Sequence, residues 1–165
     1  MTSDTKNKAL YLLSMLLVLA AAVLFISLRL RRPHAVEADL PALGAELTAA
    51  GLTEHTVFGS EAALKRHFDL LPASFAEMLY FSPETFMDID EILLIKTADS
   101  SQAAAIRAAM EKRIETQKKT FENYGTDQFS LMQEAVIYEN ERYLCFASGH
   151  HAAEALSLIR SRIEE

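Results

Sequence analysis

The chain has 165 residues, half of them hydrophobic and 24% charged, with one cysteine and few glycines or prolines; this composition excludes the disordered, collagen-like and disulfide-framework classes. Five of its 16 basic residues but only one of its 23 acidic residues fall in residues 1–33, so residues 34–165 carry 11 Lys and Arg against 22 Asp and Glu. That surplus repels polyanions and argues against nucleic acid or anionic lipid as a partner.

The first element is the run from Ala9 to Leu28, which holds no charged residue. At ~1.5 Å per residue, about 20 helical residues match the ~30 Å hydrocarbon core of a bilayer. The run is longer than the apolar region of a cleaved secretory signal and ends in Arg29, Arg31 and Arg32, so it reads as an uncleaved membrane anchor. Lys6 and Lys8 precede it; a difference of one basic residue between the flanks does not fix the orientation. The expected organisation is a tail and transmembrane anchor in residues 1–33 and one domain in residues 34–165.

Asp39 can cap a short helix in which Leu40, Leu43, Leu47 and Ala50 recur at threes and fours, with Gly51 as a left-handed stop. A second short helix starts at Ser60, runs through Leu64 and Phe68, and is expected to end at Pro72. Ala76–Phe81 and Glu91–Thr97 are short apolar runs separated by turn residues and read as strands. A long helix follows, capped by Asp99 or Ser100 with Gln102 completing a capping box, and closed by Gly125. Its apolar stripe is Ala103, Ile106, Met110, Ile114, Phe121 and Tyr124, with one turn skipped at Gln117. Leu131–Tyr138 and Arg142–Ala147 read as a hairpin, and a last helix from about His151 presents Ala152, Leu156, Ile159 and Ile163. Strands in adjacent pairs favour antiparallel pairing. The expected fold class is therefore α+β: an antiparallel sheet of about four strands with helices on one face, preceded by one transmembrane helix.

Asp90, Glu91 and Ile92 before the second strand, Arg113, Glu115, Gln117, Phe121 and Tyr124 on the long helix, and a hairpin bearing Tyr143 together resemble the bacterial family called domain of unknown function 4358. The resemblance runs from about Asp39 to the end of the chain. It implies a small protein with a lipoprotein signal or membrane anchor, and hence an extracytoplasmic domain; no activity comes with it. Two family features are missing: the lipoprotein cysteine, and a glycine in the last hairpin, where Asn140, Glu141 and Arg142 stand.

Several residues invite a chemical reading. Gln117 lies in the middle of the apolar stripe of the long helix and Arg113 at its edge, so both are expected to need internal hydrogen bonds, to backbone carbonyls at the sheet end or to a carboxylate such as Glu91 or Glu134. The alternative use of Arg113, Gln117 and Tyr124 is to line a pocket for an anionic or amide-bearing ligand. His150 and His151 are expected at a helix start, exposed, and His55 and His67 on the surface or in packing. The acidic string Glu84, Asp88, Asp90 and Glu91 lacks the glycine and spacing of an EF-hand loop. No metal site, cofactor, phosphate loop or nucleophile elbow is recognisable. Two functional readings remain: a noncatalytic, membrane-tethered module for a protein or small ligand, or a small extracytoplasmic hydrolase or metal-dependent enzyme.

Overall fold

Two strands, β3 (Glu91–Lys96) and β5 (Tyr143–Ser148), are buried at every position. Their sequences, EILLIK and YLCFAS, are nearly continuous apolar runs, the pattern of strands covered on both faces. In the computed structural model, which describes residues 14–23, 36–123 and 125–164, they lie side by side at the centre of the sheet. Side chains alternate along them. Ile92, Leu94, Tyr143 and Cys145 face one layer of helices, whereas Leu93, Ile95, Leu144 and Phe146 face the other.

The first layer is α1 (Leu40–Ala49) and α5 (Ala152–Ile163), which bury Leu40, Leu43, Leu47, Ala155, Ile159 and Ile163. On the opposite face, α2 (Glu61–Phe68) and α3 (Ala103–Phe121) bury Leu64, Phe68, Ile106 and Met110. Helices on both faces correct the one-sided expectation. The two-sided burial of β3 and β5 demands the second layer, since a single layer would leave half of each apolar run in water.

Among the described residues the sheet has five strands rather than about four, β1 (Thr56–Phe58), β2 (Glu77–Pro83), β3, β4 (Val136–Glu139) and β5, in the order β1-β2-β3-β5-β4, all antiparallel. The additional strand is β1, three residues that pair with the end of β2. It is too short to show a period. Gly59 lets its chain close onto β2: its N–H donates to the Tyr80 carbonyl at 2.9 Å, and a Cβ there would meet the Tyr80 ring at 2.0 Å.

Caps fall largely where local chemistry places them. Asp39 and Ser60 each accept a backbone N–H at the start of α1 and α2, and Asp99 with Gln102 forms the capping box that leads, through a 3₁₀ turn, into α3. Gly51 takes φ +72°. The second helix ends before Pro72, at a left-handed Asp69; Pro72 opens a separate 3₁₀ turn. The long helix also stops early, at Phe121. After Gly125 a new helix, α4 (Thr126–Gln133), takes up Leu131 and Met132, so the following strand β4 is only Val136–Glu139. Met132 is drawn into a small cluster with Ile89 and Phe121, and this tertiary contact overrides the strand reading. The β4–β5 turn needs no glycine, because the Asn140 side chain accepts the N–H groups of Arg142 and Tyr143.

Residues Met1–Pro33 and His34–Glu165 form separate units. Half of the expected anchor, Ala9–Leu28, lies outside the described residues. Its described part, 14–23, is helical and exposed throughout, and among the described residues no helix is long and apolar enough to cross a membrane.

Candidate functional site

On α3 the buried positions Ile106, Met110, Arg113, Gln117 and Phe121 form one stripe. Ile106 and Met110 sit on the sheet, and the stripe then turns polar. Arg113 and Gln117 border a cleft of 610 Å³ together with α2, β1, the end of β2 and the loop that follows it. The volume lies within the roughly 300–1,000 Å³ of small-ligand clefts.

Beneath this cleft lies a buried carboxylate. Glu91 opens β3 and is 1% exposed, yet it meets three polar side chains. Arg113 Nε donates to Oε2 at 2.8 Å, and the Tyr80 hydroxyl donates to Oε1 at 2.6 Å. His67 Nδ1 is 3.2 Å from Oε1 and 2.7 Å from the Tyr80 hydroxyl. Burial first, and then the adjacent Glu91 charge, push the Tyr80 phenol far above its ordinary range. Tyr80 therefore keeps its proton and donates a hydrogen bond to Glu91. Its oxygen can then only accept from His67, so Nδ1 carries a hydrogen. Nε2 has no partner among the described residues, and His67 lines the cleft.

Arg113 thus spends Nε on Glu91 and stacks near the Phe68 ring, 5.9 Å away. Its terminal amines make no hydrogen bond to any described residue. The Gln117 carboxamide makes none either, although the residue is only 7% exposed. Among the described residues, Tyr138 alone has a fully enclosed polar side-chain atom without a partner, so the free groups of Arg113 and Gln117 open on the cleft. Arg66, exposed on α2, adds a second cation with no ion pair among the described residues. Glu84 and Asp88, on the loop after β2, also line the cleft; Asp88 Oδ2 accepts the N–H and hydroxyl of Thr85, both at 2.8 Å. Phe86, 86% exposed, forms an apolar lip.

The residues singled out in the sequence are therefore divided. Arg113 is held by Glu91, one of its two anticipated carboxylates, and not by Glu134. Gln117 lies beside it without a hydrogen-bond partner among the described residues, and Tyr124 lies outside them. His67 is no isolated surface or packing residue but a member of the Glu91 network. The acidic string disperses: Glu91 serves Arg113, Asp90 holds the N–H of His150 at 2.8 Å and its Nδ1 at 3.1 Å, and Glu84 and Asp88 border the cleft. Gly149, at φ +96°, leaves room for that Asp90 contact; a Cβ would stand 2.3 Å from the carboxylate. His151 starts α5 without capping it. Among the described residues no group of three or more His, Cys, Asp or Glu side chains is placed to hold a metal ion. Sequence reasoning missed Tyr80 and His67; the available signal was a glutamate at the mouth of an otherwise apolar strand, which must find partners once buried.

The family model described as Domain of unknown function (DUF4358) matches residues 49–149, more than half of the chain, and the chain belongs to that family. The match takes in β1 to β5 and every residue of the cleft and its network. No curated protein and no solved structure matches the chain.

Proposed function

We propose that this member of the family is a membrane-tethered, noncatalytic ligand-binding module: residues 9–28 anchor it, residues 34–165 lie outside the cytoplasmic membrane, and the cleft beside Arg113 takes an anionic or amide-bearing ligand. The observation that carries this reading is Gln117, a carboxamide on a core-facing stripe that makes no hydrogen bond to a described residue and opens on a cleft lined by Arg113. A group so placed forgoes internal partners that its neighbours find, and a ligand can supply them. Arg113 is preorganised for the task, because Glu91 fixes Nε and leaves the fork of terminal amines free. Four of the five hydroxyls on the cleft wall are tied to local partners: Ser60 caps α2, Thr116 and Thr120 donate to carbonyls one turn back, and Thr85 donates to Asp88, while the fifth, Ser82, has no side-chain hydrogen bond to a base among the described residues. This favours binding over hydrolysis, which needs an activated nucleophile.

The test is retention of small molecules. The full-length chain is dialysed against a small-molecule extract of bacterial cells, and retained compounds are identified by mass spectrometry. The wild type is expected to enrich at least one compound that Gln117→Leu does not. Equal retention by both, or retention by neither, would overturn the reading.

A further inference from the structure

The lining of the cleft carries charges of both signs, on different elements. Arg66 and Arg113 stand on the helical wall, Glu84 and Asp88 on the loop that follows β2, and the one carboxylate beneath, Glu91, is already engaged by Arg113, Tyr80 and His67. A simple anion would meet two arginines but also two carboxylates, in a domain that is acidic overall. A ligand with charges of both signs meets each wall with its opposite. The same helices present a carboxamide, Gln117, able to donate and accept, and His67, whose Nε2 is left open while Nδ1 donates inward. A carboxamide beside an open ring nitrogen can serve the N–H and C=O of a peptide group.

Resting on the ligand-binding reading above, we infer that the cleft binds a short peptide with both termini free. The carboxylate meets the terminal amines of Arg113 and the Arg66 guanidinium, the ammonium group meets Glu84 and Asp88, and an inner amide lies between Gln117 and His67 Nε2. The volume of 610 Å³ is larger than one free amino acid fills, which favours two or more residues over one.

The experiment is equilibrium dialysis of the full-length chain against a pool of tripeptides randomised at all three positions, with mass-spectrometric readout. Three versions are used: free termini, amino-acetylated, and carboxy-amidated. The free pool should contain retained members, and each blocked pool should be held at least tenfold more weakly. The pair Glu84→Gln with Asp88→Asn should abolish discrimination against acetylated peptides while keeping discrimination against amidated ones. Glu84→Gln alone should weaken the same discrimination; its carboxylate makes no hydrogen bond among the described residues, so this variant serves if the Asp88 change disturbs the loop. Retention of blocked and free pools alike would overturn the inference, as would retention of no tripeptide. A chain that keeps a compound from the cell extract in a Gln117-dependent way but no tripeptide would leave the binding module standing and remove the peptide. A chain that keeps neither would remove both.

Discussion

Truncating Arg113 to alanine separates the energetics of the network from those of the cleft. Glu91 is 1% exposed and Arg113 9%, so the change strands a carboxylate that water reaches poorly. Breaking a buried ion pair by removing one partner costs about 3–5 kcal/mol. Here the Tyr80 hydroxyl and His67 Nδ1 still serve Oε1, which places the expected cost at the lower end, about 3 kcal/mol. With a urea slope of about 1.5 kcal/mol per molar for a domain of this size, the midpoint should fall by about 2 M. Gln117→Leu provides the contrast: the carboxamide makes no internal hydrogen bond to a described residue, so its removal should change stability by less than about 0.5 kcal/mol. Glu91→Gln combined with Arg113→Ala should cost less than the sum of the single changes by at least about 1 kcal/mol, the coupling expected of contacting groups. The chain has no tryptophan, so unfolding of residues 34–165 is best followed by far-ultraviolet circular dichroism. An unchanged midpoint for Arg113→Ala would refute the buried pair, and a loss for Gln117→Leu as large as that for Arg113→Ala would refute the separation of the two residues.

Deleting residues 1–33 should release a soluble, folded domain, as judged by gel filtration and a cooperative urea transition; an insoluble or unfolded product would show that the segment belongs to the core. If residues 34–165 lie outside the cytoplasmic membrane, a C-terminal alkaline phosphatase fusion should be active and a reporter that works only in the cytoplasm silent, and the reverse pattern would reject that side. Burial pushes the Cys145 thiol up to about 12 from an ordinary value near 9, so the native chain should resist alkylation at pH 8 and react only as fast as it unfolds; rapid labelling would contradict its position at the sheet centre. The same shift has a defined sign: the folded thiol holds its proton more tightly than the unfolded one, so its contribution to stability is whole below about pH 9 and is lost as pH rises from there towards 12.

The elements that were legible from sequence are those whose signal is local. Asp39, Ser60, Asp99 and Gln102 act within a turn of their own position, and the stripe of α3 repeats often enough to be read. The elements that were misread depend on contacts far along the chain. Thr56–Phe58 is a strand only because Phe81, Ser82 and Pro83 offer an edge, and Leu131 and Met132 are helical because Phe121 and Ile89 offer a pocket. The second helical layer was foreshadowed in EILLIK and YLCFAS, where the absence of alternation is itself the signal of two buried faces.

The site follows the same logic one step further. Arg113 and Gln117 stood out because they break the apolar period of a helix, and periodicity gives the face on which a residue lies but not its partner. The partner of Arg113 sits 22 residues earlier, and Tyr80 and His67 are 11 and 24 residues from Glu91, separations that only the sheet register resolves. Tyr80 lies on β2 opposite Leu93 of β3, the second residue after Glu91, within diagonal reach on the same face of an antiparallel pair. His67 then arrives on α2, one residue before Phe68, whose ring packs edge-on against Tyr80 with centroids 5.9 Å apart. The hydrophobic contact that docks α2 thus also delivers the imidazole to the carboxylate. Because Glu91, Tyr80 and His67 are held by the same strand pairing and helix docking that form the core, the polar floor of the cleft is assembled when the domain folds, and a ligand needs only to meet the groups that the fold leaves open.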